Sequence, residues 1–385
     1  MDERLKGLSV LGSTGSVGTQ VLDIVRTYPD RFTVIGLAAN RNHKLLSEQI
    51  EEFEPRFVYY KKPLEEGIDF PASEARKVTL SEIATADDVD IVVTATTGDV
   101  ALSPTFDAIG KGLDIAIANK ETIIMAGAKL MRDAGNKGVS LLPVDSEPSA
   151  IWQCLRGENS LIEKLVITAS GGAFRDVPIE ELDQVQRTDA LKHPTWEMGA
   201  KISVDSATMM NKAFEVIEAK WLFNVDWSQI DVVIHPESII HSMVEFEDGS
   251  TKAQLSPPDM RLPIQHALFY PERLSNAKLS RFDPVKTKEL TFRELDHDRY
   301  PCFQMALDHA RRGGTWPSAL CGADDGAVEA FLGGKISFKE IEPLIRTSLL
   351  THKSVTDPSL KQMQAASRWG KNQVNDLVGN KSNND

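Results

Sequence analysis

Only three cysteines occur in the 385 residues, Cys154, Cys302 and Cys321, and none of their intervals has metal-site spacing. This excludes a disulfide framework and points to free thiols in a reducing compartment. No apolar run reaches the roughly 18 residues of a membrane span. There is no basic run and no aromatic–basic interleaving, and a net charge of −13 argues against a general nucleic-acid binder. An acidic chain that binds an anion must therefore do so in a local pocket. The first strand begins near Gly7, leaving no room for a signal or transit peptide, so a cytoplasmic protein is expected. Internal repeats and low-complexity segments are also missing.

What is present is ordinary globular composition, 41% hydrophobic and 26% charged, in a chain too long for one core. Two or three domains are expected. Over residues 1–145, short apolar runs at 8–11, 33–38, 57–60, 91–95, 115–118 and 139–142 alternate with helical patterns. That alternation predicts a doubly wound parallel sheet of Rossmann-like type. The first run leads into Gly12-Ser-Thr-Gly-Ser-Val-Gly18 and then an amphipathic stretch. Two readings of these glycines stand: a dinucleotide pyrophosphate turn, or a tight strand–helix turn that needs small residues. Where a ribose-binding acid would stand, the chain has Asn40, Arg41 and Asn42. An arginine there suits a 2′-phosphate, favouring NADP(H) over NAD(H); a plain surface arginine is the other reading.

The chemistry concentrates further on. The run from Asp205 to Glu215 reads as a capped helix with Ser206 at its start, beside free backbone N–H groups where a phosphate would sit. Asn211, Lys212 and Glu215 stand three and four apart and share a face. Upstream, Asp145 and Glu147 read as two acids on one side of an extended segment. Three carboxylates beside a phosphate-ready helix suggest a divalent metal next to a phosphorylated substrate. Read singly, Asp145 and Glu147 are solvated loop acids and the later run is an amphipathic helix. Met209, Met210, Phe214, Ile217 and Trp221 are read as core, and His235 and His241 as structural.

Residues 146–271 are expected to form a second α/β domain, with strands at 165–168, 232–234, 242–246 and 252–255. Residues 272–297 read as a linker. Helical spacing at 302–311, 338–350 and 360–377 predicts a small C-terminal helical domain over 298–385, with a disordered tail from Asn380.

Several motifs together resemble one family, 1-deoxy-D-xylulose-5-phosphate reductoisomerase. They are the glycine turn, Ala118-Asn-Lys-Glu121, Pro143-Val-Asp-Ser-Glu147, Ala169-Ser-Gly-Gly172 and His193-Pro-Thr-Trp-Glu-Met-Gly199. The run from Lys201 to Phe223, His235 to Phe246 and Pro258 to Gln265 complete the set, in the family's order over roughly residues 7 to 270. The resemblance implies an NADPH-dependent oxidoreductase of the non-mevalonate isoprenoid precursor pathway. Such an enzyme isomerises 1-deoxy-D-xylulose 5-phosphate and reduces the aldehyde to 2-C-methyl-D-erythritol 4-phosphate. It implies that Asp145, Glu147 and Glu215 hold Mg²⁺ or Mn²⁺, with Co²⁺ a further candidate, since hard oxygen ligands suit such ions. Ser170, Ser206, Asn211 and Lys212 would grip the phosphate, and Lys120 and Ser146 would contact the sugar backbone. Lys120 would also supply charge or a proton to the reaction. His193 and Trp196 would belong to a lid. Thr14, Gly15, Ser16, Val17, Asn40, Arg41, Asn42, Asn119, Glu121 and Gly199 would line the nicotinamide cofactor site. By the same resemblance, a homodimer would form through strands of the middle domain.

The chain departs from the family pattern at Pro148, Thr195, Ala213, Ser256-Pro257 and Leu320 to Gly326, none of them a metal or phosphate ligand. Two other classes stay open. A semialdehyde-type dehydrogenase needs a cysteine nucleophile, and Cys154 lies in an apolar helical stretch. A silent NADPH-binding scaffold has no need of three clustered acids.

Overall fold

The computed structural model describes residues 4–61 and 75–382, which divide into two units. The first unit comprises Met1–Thr122, Ala128–Ser149 and Asp259–Ser280. Its seven strands are β1 (Lys6–Leu11), β2 (Phe32–Ala39), β3 (Phe57–Tyr60), β4 (Arg76–Lys77), β5 (Ile91–Thr94), β6 (Asp114–Ile117) and β7 (Leu141–Pro143). They pair in the order β4-β3-β2-β1-β5-β6-β7, every pair parallel. Strands buried on both faces must be apolar throughout, and the central ones are: Leu8, Val10, Leu11, Val92, Val93, Ile115 and Ala116 have no exposed surface. The expected doubly wound sheet is therefore present. Its strand order reverses between β1 and β5, where folds of this type open a crevice beyond the carboxyl ends of the strands.

The structure divides the chain differently from the expected boundaries. Residues of the Arg261–Phe269 helix, read as middle domain, pack on the first unit because Phe269 meets Tyr28 and Phe32 edge to face at 4.8 and 4.9 Å. Glu272 adds an ion pair to Arg31, and Tyr28 Oη donates to the carbonyl of Ser275. Nor are residues 272–297 a featureless linker, since Arg293–Glu294 forms a strand.

The second unit comprises Ile123–Gly127, Ala150–Pro258 and Arg281–Asp385. Its strands β8 (Ile162–Ala169), β9 (Ile230–Ile234), β10 (Ile240–Phe246), β11 (Thr251–Leu255) and β12 (Arg293–Glu294) form one mixed sheet ordered β11-β10-β8-β9-β12. The β8–β9 pair is parallel and the others antiparallel. Helices follow, as expected: Pro301–Arg311, Trp316–Leu332, Ile341–Leu349 and Leu360–Ser382. Glycines let two of them touch backbone to backbone; a Cβ on Gly322 would lie 1.7 Å from the Ser367 carbonyl oxygen. The last helix runs through Asn380 to Ser382, where a disordered tail was expected, because Val374 and Val378 continue its buried stripe. Residues 383–385 lie outside the described residues. Among the described residues, no helix is long and apolar enough to cross a membrane.

Candidate active site

In the first unit, β1 ends in the glycine turn, and both outer glycines are required by space. A Cβ on Gly12, whose φ is +95°, would lie 2.4 Å from the Ala95 carbonyl oxygen at the end of β5. One on Gly18 would lie 2.1 Å from the Gly12 carbonyl oxygen. Gly15 caps the Ser16–Thr27 helix without a side chain, so the N–H groups that open this helix face outward beside the β1–β5 switch point. Thr14 and Val17 are half-buried and Ser16 exposed at this turn. This cradle fits a pyrophosphate, which needs close backbone approach and N–H donors. Asn40, Arg41 and Asn42 follow β2 and are exposed; Asn42 also caps the next helix through its side-chain oxygen, 3.2 Å from the Leu45 nitrogen.

Asn119 follows β6 and is fully buried, with both ends of its side chain engaged. The oxygen accepts from the Thr122 nitrogen at 2.9 Å, capping the Lys120–Lys137 helix, and the amide donates to the carbonyls of Thr96 (2.8 Å) and Gly98 (3.0 Å). Asn119 thus ties the ends of β5 and β6 together, and Glu121 lies within 3.2 Å of its amide. Nearby, the buried Thr96 hydroxyl has no hydrogen-bond partner among the described residues, which suits a site completed by a ligand.

Lys120, 8% exposed, opens that helix and pairs with the Asp145 carboxylate. Here one sequence expectation fails. Asp145, Ser146 and Glu147 do not lie on an extended segment, because the Ser146–Leu155 helix starts directly after β7 and the Ser149 nitrogen donates to the Asp145 carbonyl at 2.9 Å. Pro148 fits there because first-turn N–H groups lack helical partners. Asp145 and Glu147 are half-buried, and Ser146 Oγ donates to Glu147 Oε2 at 2.5 Å.

In the second unit, β8 ends at Ser170-Gly171-Gly172. Gly172 has φ +71°, and a Cβ there would lie 2.5 Å from the Ser206 carbonyl oxygen and 2.6 Å from the Ala207 Cα. The glycine therefore lets the β8 turn reach the helix that carries Ser206. That helix is Ala200–Thr208, so Ser206 lies near its end and does not open a helix as expected. The cause is Met209, which takes a left-handed φ of +61° and separates it from the Met210–Leu222 helix. Asp205 is no cap either. Its Oδ2 accepts from Lys201 Nζ at 2.6 Å, and the same ammonium pairs with Asp324 at 2.6 Å and Asp325 at 3.4 Å. Burial, then the Asp324 charge, raises the Asp205 carboxyl well above the usual range. This buried cluster was missed from sequence, although Asp324 and Asp325 lie in the segment that departs most from the family pattern.

On the Met210–Leu222 helix, Asn211, Lys212 and Glu215 share a face as predicted. Asn211 Nδ2 donates to Glu215 Oε1 at 2.5 Å, and Lys212 pairs with the other carboxylate oxygen. Lys212 and Glu215 are 4% and 1% exposed, so this pair sets opposite charges against each other in the interior. Met209, Met210, Phe214 and Ile217 are buried, as read.

His193 Nε2 lies 2.8 Å from Ser170 Oγ, and its Nδ1 accepts from the Trp196 nitrogen at 2.9 Å. Burial first, then the Arg175 and Lys212 charges, push the imidazole down to about 4. Sequence reasoning missed Arg175, whose guanidinium donates to the Ser170 carbonyl at 3.0 Å. Trp196 meets His241 edge to face at 5.9 Å, and Gly199 caps the Ala200–Thr208 helix. His235 and His241 are buried structural residues: His235 bonds Thr291 and the 239–240 backbone, and His241 bonds the Ser256 carbonyl. Cys154 is buried and its thiol is pushed up to about 11 by burial, the reverse of an activated nucleophile.

Known proteins place the chain in a family. Residues 8–127 match the family model for 1-deoxy-D-xylulose 5-phosphate reductoisomerase, residues 141–223 the model for its C-terminal domain, and residues 255–373 that for the DXP reductoisomerase C-terminal domain. The 1-deoxy-D-xylulose 5-phosphate reductoisomerase of Shouchella clausii is 48% identical over 94% of this chain and 97% of its own. That of Acaryochloris marina is 47% identical over 96% and 95%. A crystal structure of DOX-P reductoisomerase in complex with NADPH, fosmidomycin and magnesium superposes with a TM-score of 0.90 at 35% identity, covering 97% of this chain and 98% of that one. The Zymomonas mobilis enzyme in complex with NADPH gives 0.87 at 35% identity, covering 97% and 99%. The chain belongs to the 1-deoxy-D-xylulose 5-phosphate reductoisomerase family.

Proposed function

We propose that the residues described above carry out the family's reaction in this chain. The chain catalyses metal-dependent isomerisation of 1-deoxy-D-xylulose 5-phosphate and its NADPH-dependent reduction to 2-C-methyl-D-erythritol 4-phosphate, in isoprenoid precursor synthesis. The first unit would bind NADPH: the Thr14-Gly15-Ser16-Val17 turn takes the pyrophosphate, Asn40, Arg41 and Asn42 the 2′-phosphate, and Asn119 and Glu121 the nicotinamide end, with Gly199 of the second unit also lining the cofactor site. The middle segment would supply Glu147, Glu215, the phosphate-binding groups and a homodimer contact, and the helical C-terminal part would support it. Sedimentation at the mass of two chains tests the dimer; a single-chain mass contradicts it. A cytoplasmic location is proposed with it.

Asp145, Glu147 and Glu215 would hold the divalent ion, a fit of three hard oxygen donors to Mg²⁺ or Mn²⁺. Bound there, such an ion supplies Lewis-acid stabilisation of negative charge on substrate oxygens. The protein's own groups do the rest. Lys120, paired with Asp145, holds a proton and a positive charge at the sugar oxygens, with Ser146 beside it. Ser170, Ser206, Asn211 and Lys212 would hold the phosphate far from the reacting carbons, and His193 and Trp196 would close over it.

The observation that carries this reading is the buried Lys212, on one face with Asn211, together with the His193 ring bonded to Ser170. Such a cluster is built for an anion. With NADPH and Mg²⁺ supplied, kcat/KM should fall by orders of magnitude when 1-deoxy-D-xylulose replaces its 5-phosphate. Equal rates on the two sugars would show that this cluster does not bind phosphate.

A further inference from the structure

The polar contacts of His193, which also include Thr195 Oγ1 at 3.4 Å from Nδ1, fix where its proton sits. Nδ1 accepts backbone N–H groups from Trp196 at 2.9 Å and Thr195 at 3.2 Å, so that nitrogen carries no hydrogen. A neutral ring then bears its single proton on Nε2. Nε2 lies 2.8 Å from Ser170 Oγ and must be the donor. The same hydroxyl oxygen also accepts from the Gly172 nitrogen at 3.1 Å. Both lone pairs of Ser170 Oγ are thus occupied, and its own hydrogen is left to donate elsewhere.

We propose that His193 is a positioning residue that acts through Ser170: the Trp196 backbone sets the ring tautomer, and the ring aims the Ser170 hydroxyl proton at the substrate phosphate. This deepens the phosphate reading above and rests on it. An unoriented serine can spend its hydrogen on a neighbouring carbonyl; here donation is forced outward. When the hydroxyl donates to an anion its oxygen becomes a better acceptor, so the His193 bond strengthens with it. Because the ring is held by the backbone of residues 195–196, occupation of the phosphate site tightens that segment onto the end of β8. Protonation would put a hydrogen on Nδ1 against the Trp196 N–H and break the arrangement. The neighbouring Arg175 and Lys212 charges oppose that protonation.

The test is a double-variant cycle on KM for the sugar phosphate, with NADPH affinity as the control for folding. Ser170→Ala and His193→Phe, which keeps the ring volume, should each raise KM on the order of ten- to a hundredfold, with kcat changed much less. If His193 acts through Ser170, the double variant is no worse than the weaker single variant by more than about threefold. Fold-losses that multiply overturn the proposal, since they mean His193 and Ser170 grip the substrate independently. If Ser170→Ala leaves KM unchanged, the phosphate assignment of Ser170 fails and the proposal with it. The ring itself is read by nitrogen NMR of the wild-type protein. A proton on Nε2 and no titration above about pH 5 support the tautomer lock. A ring that titrates near pH 6.5, or carries its proton on Nδ1, overturns the lock even where Ser170 binds phosphate.

Discussion

Lys201 stands between two carboxylates, Asp205 and Asp324, that are 4% and 1% exposed. Removing the lysine withdraws one ammonium from both buried acids at once, which costs more than any single contact. Lys201→Met should lower unfolding stability by about 3–5 kcal/mol, read from denaturant midpoints. A change under about 1 kcal/mol would mean the cluster is wetter than it looks. Histidines set a second residue-level behaviour. His193, His309 and His352 are all lowered by burial first. Each takes a proton more readily in the unfolded chain, near pH 6.5, than in the folded one. Stability from these groups is therefore complete above pH 6.5 and is lost progressively as pH falls below it. Urea unfolding at pH 7 and pH 5 should give the lower free energy at pH 5, with a smaller difference in His352→Gln; an unchanged difference contradicts the assignment.

At the scale of elements, the site depends on one close approach and one break. Gly172 allows the β8 turn to meet the Ser206 backbone, and Met209 in its left-handed conformation separates the helix of Ser206 from that of Lys212. Gly172→Ala adds a Cβ 2.5 Å from a carbonyl oxygen at a left-handed φ. It should cost about 1–3 kcal/mol and raise KM for the sugar phosphate more than it lowers NADPH affinity. Equal losses of both would indicate general unfolding instead. The glycine and the helix faces were legible in sequence, because spacing alone places Asn211, Lys212 and Glu215 together. The break at Met209 was not: a non-glycine residue at positive φ has no local signal, so Ser206 was set at the start of a helix that it nearly ends. The Asp145–Glu147 error had a readable remedy, since an acid followed by Ser-Glu-Pro suits a helix start as well as a strand.

At the scale of the whole molecule, the parallel sheet was legible because fully buried strands are continuous apolar runs. Strand β12 and the attachment of residues 259–280 to the first unit were not, because they depend on distant partners such as Tyr28, Phe32 and Ile234. As proposed, this chain would turn over the sugar phosphate only through an ion held by Asp145, Glu147 and Glu215. NADPH absorbance followed in 1-deoxy-D-xylulose 5-phosphate and Mg²⁺, then with excess EDTA, tests it, with Glu215→Gln run alongside. Oxidation should stop with EDTA, return with added Mn²⁺, and be lost in Glu215→Gln while NADPH still binds. Undiminished oxidation in EDTA, or full activity in Glu215→Gln, would contradict it.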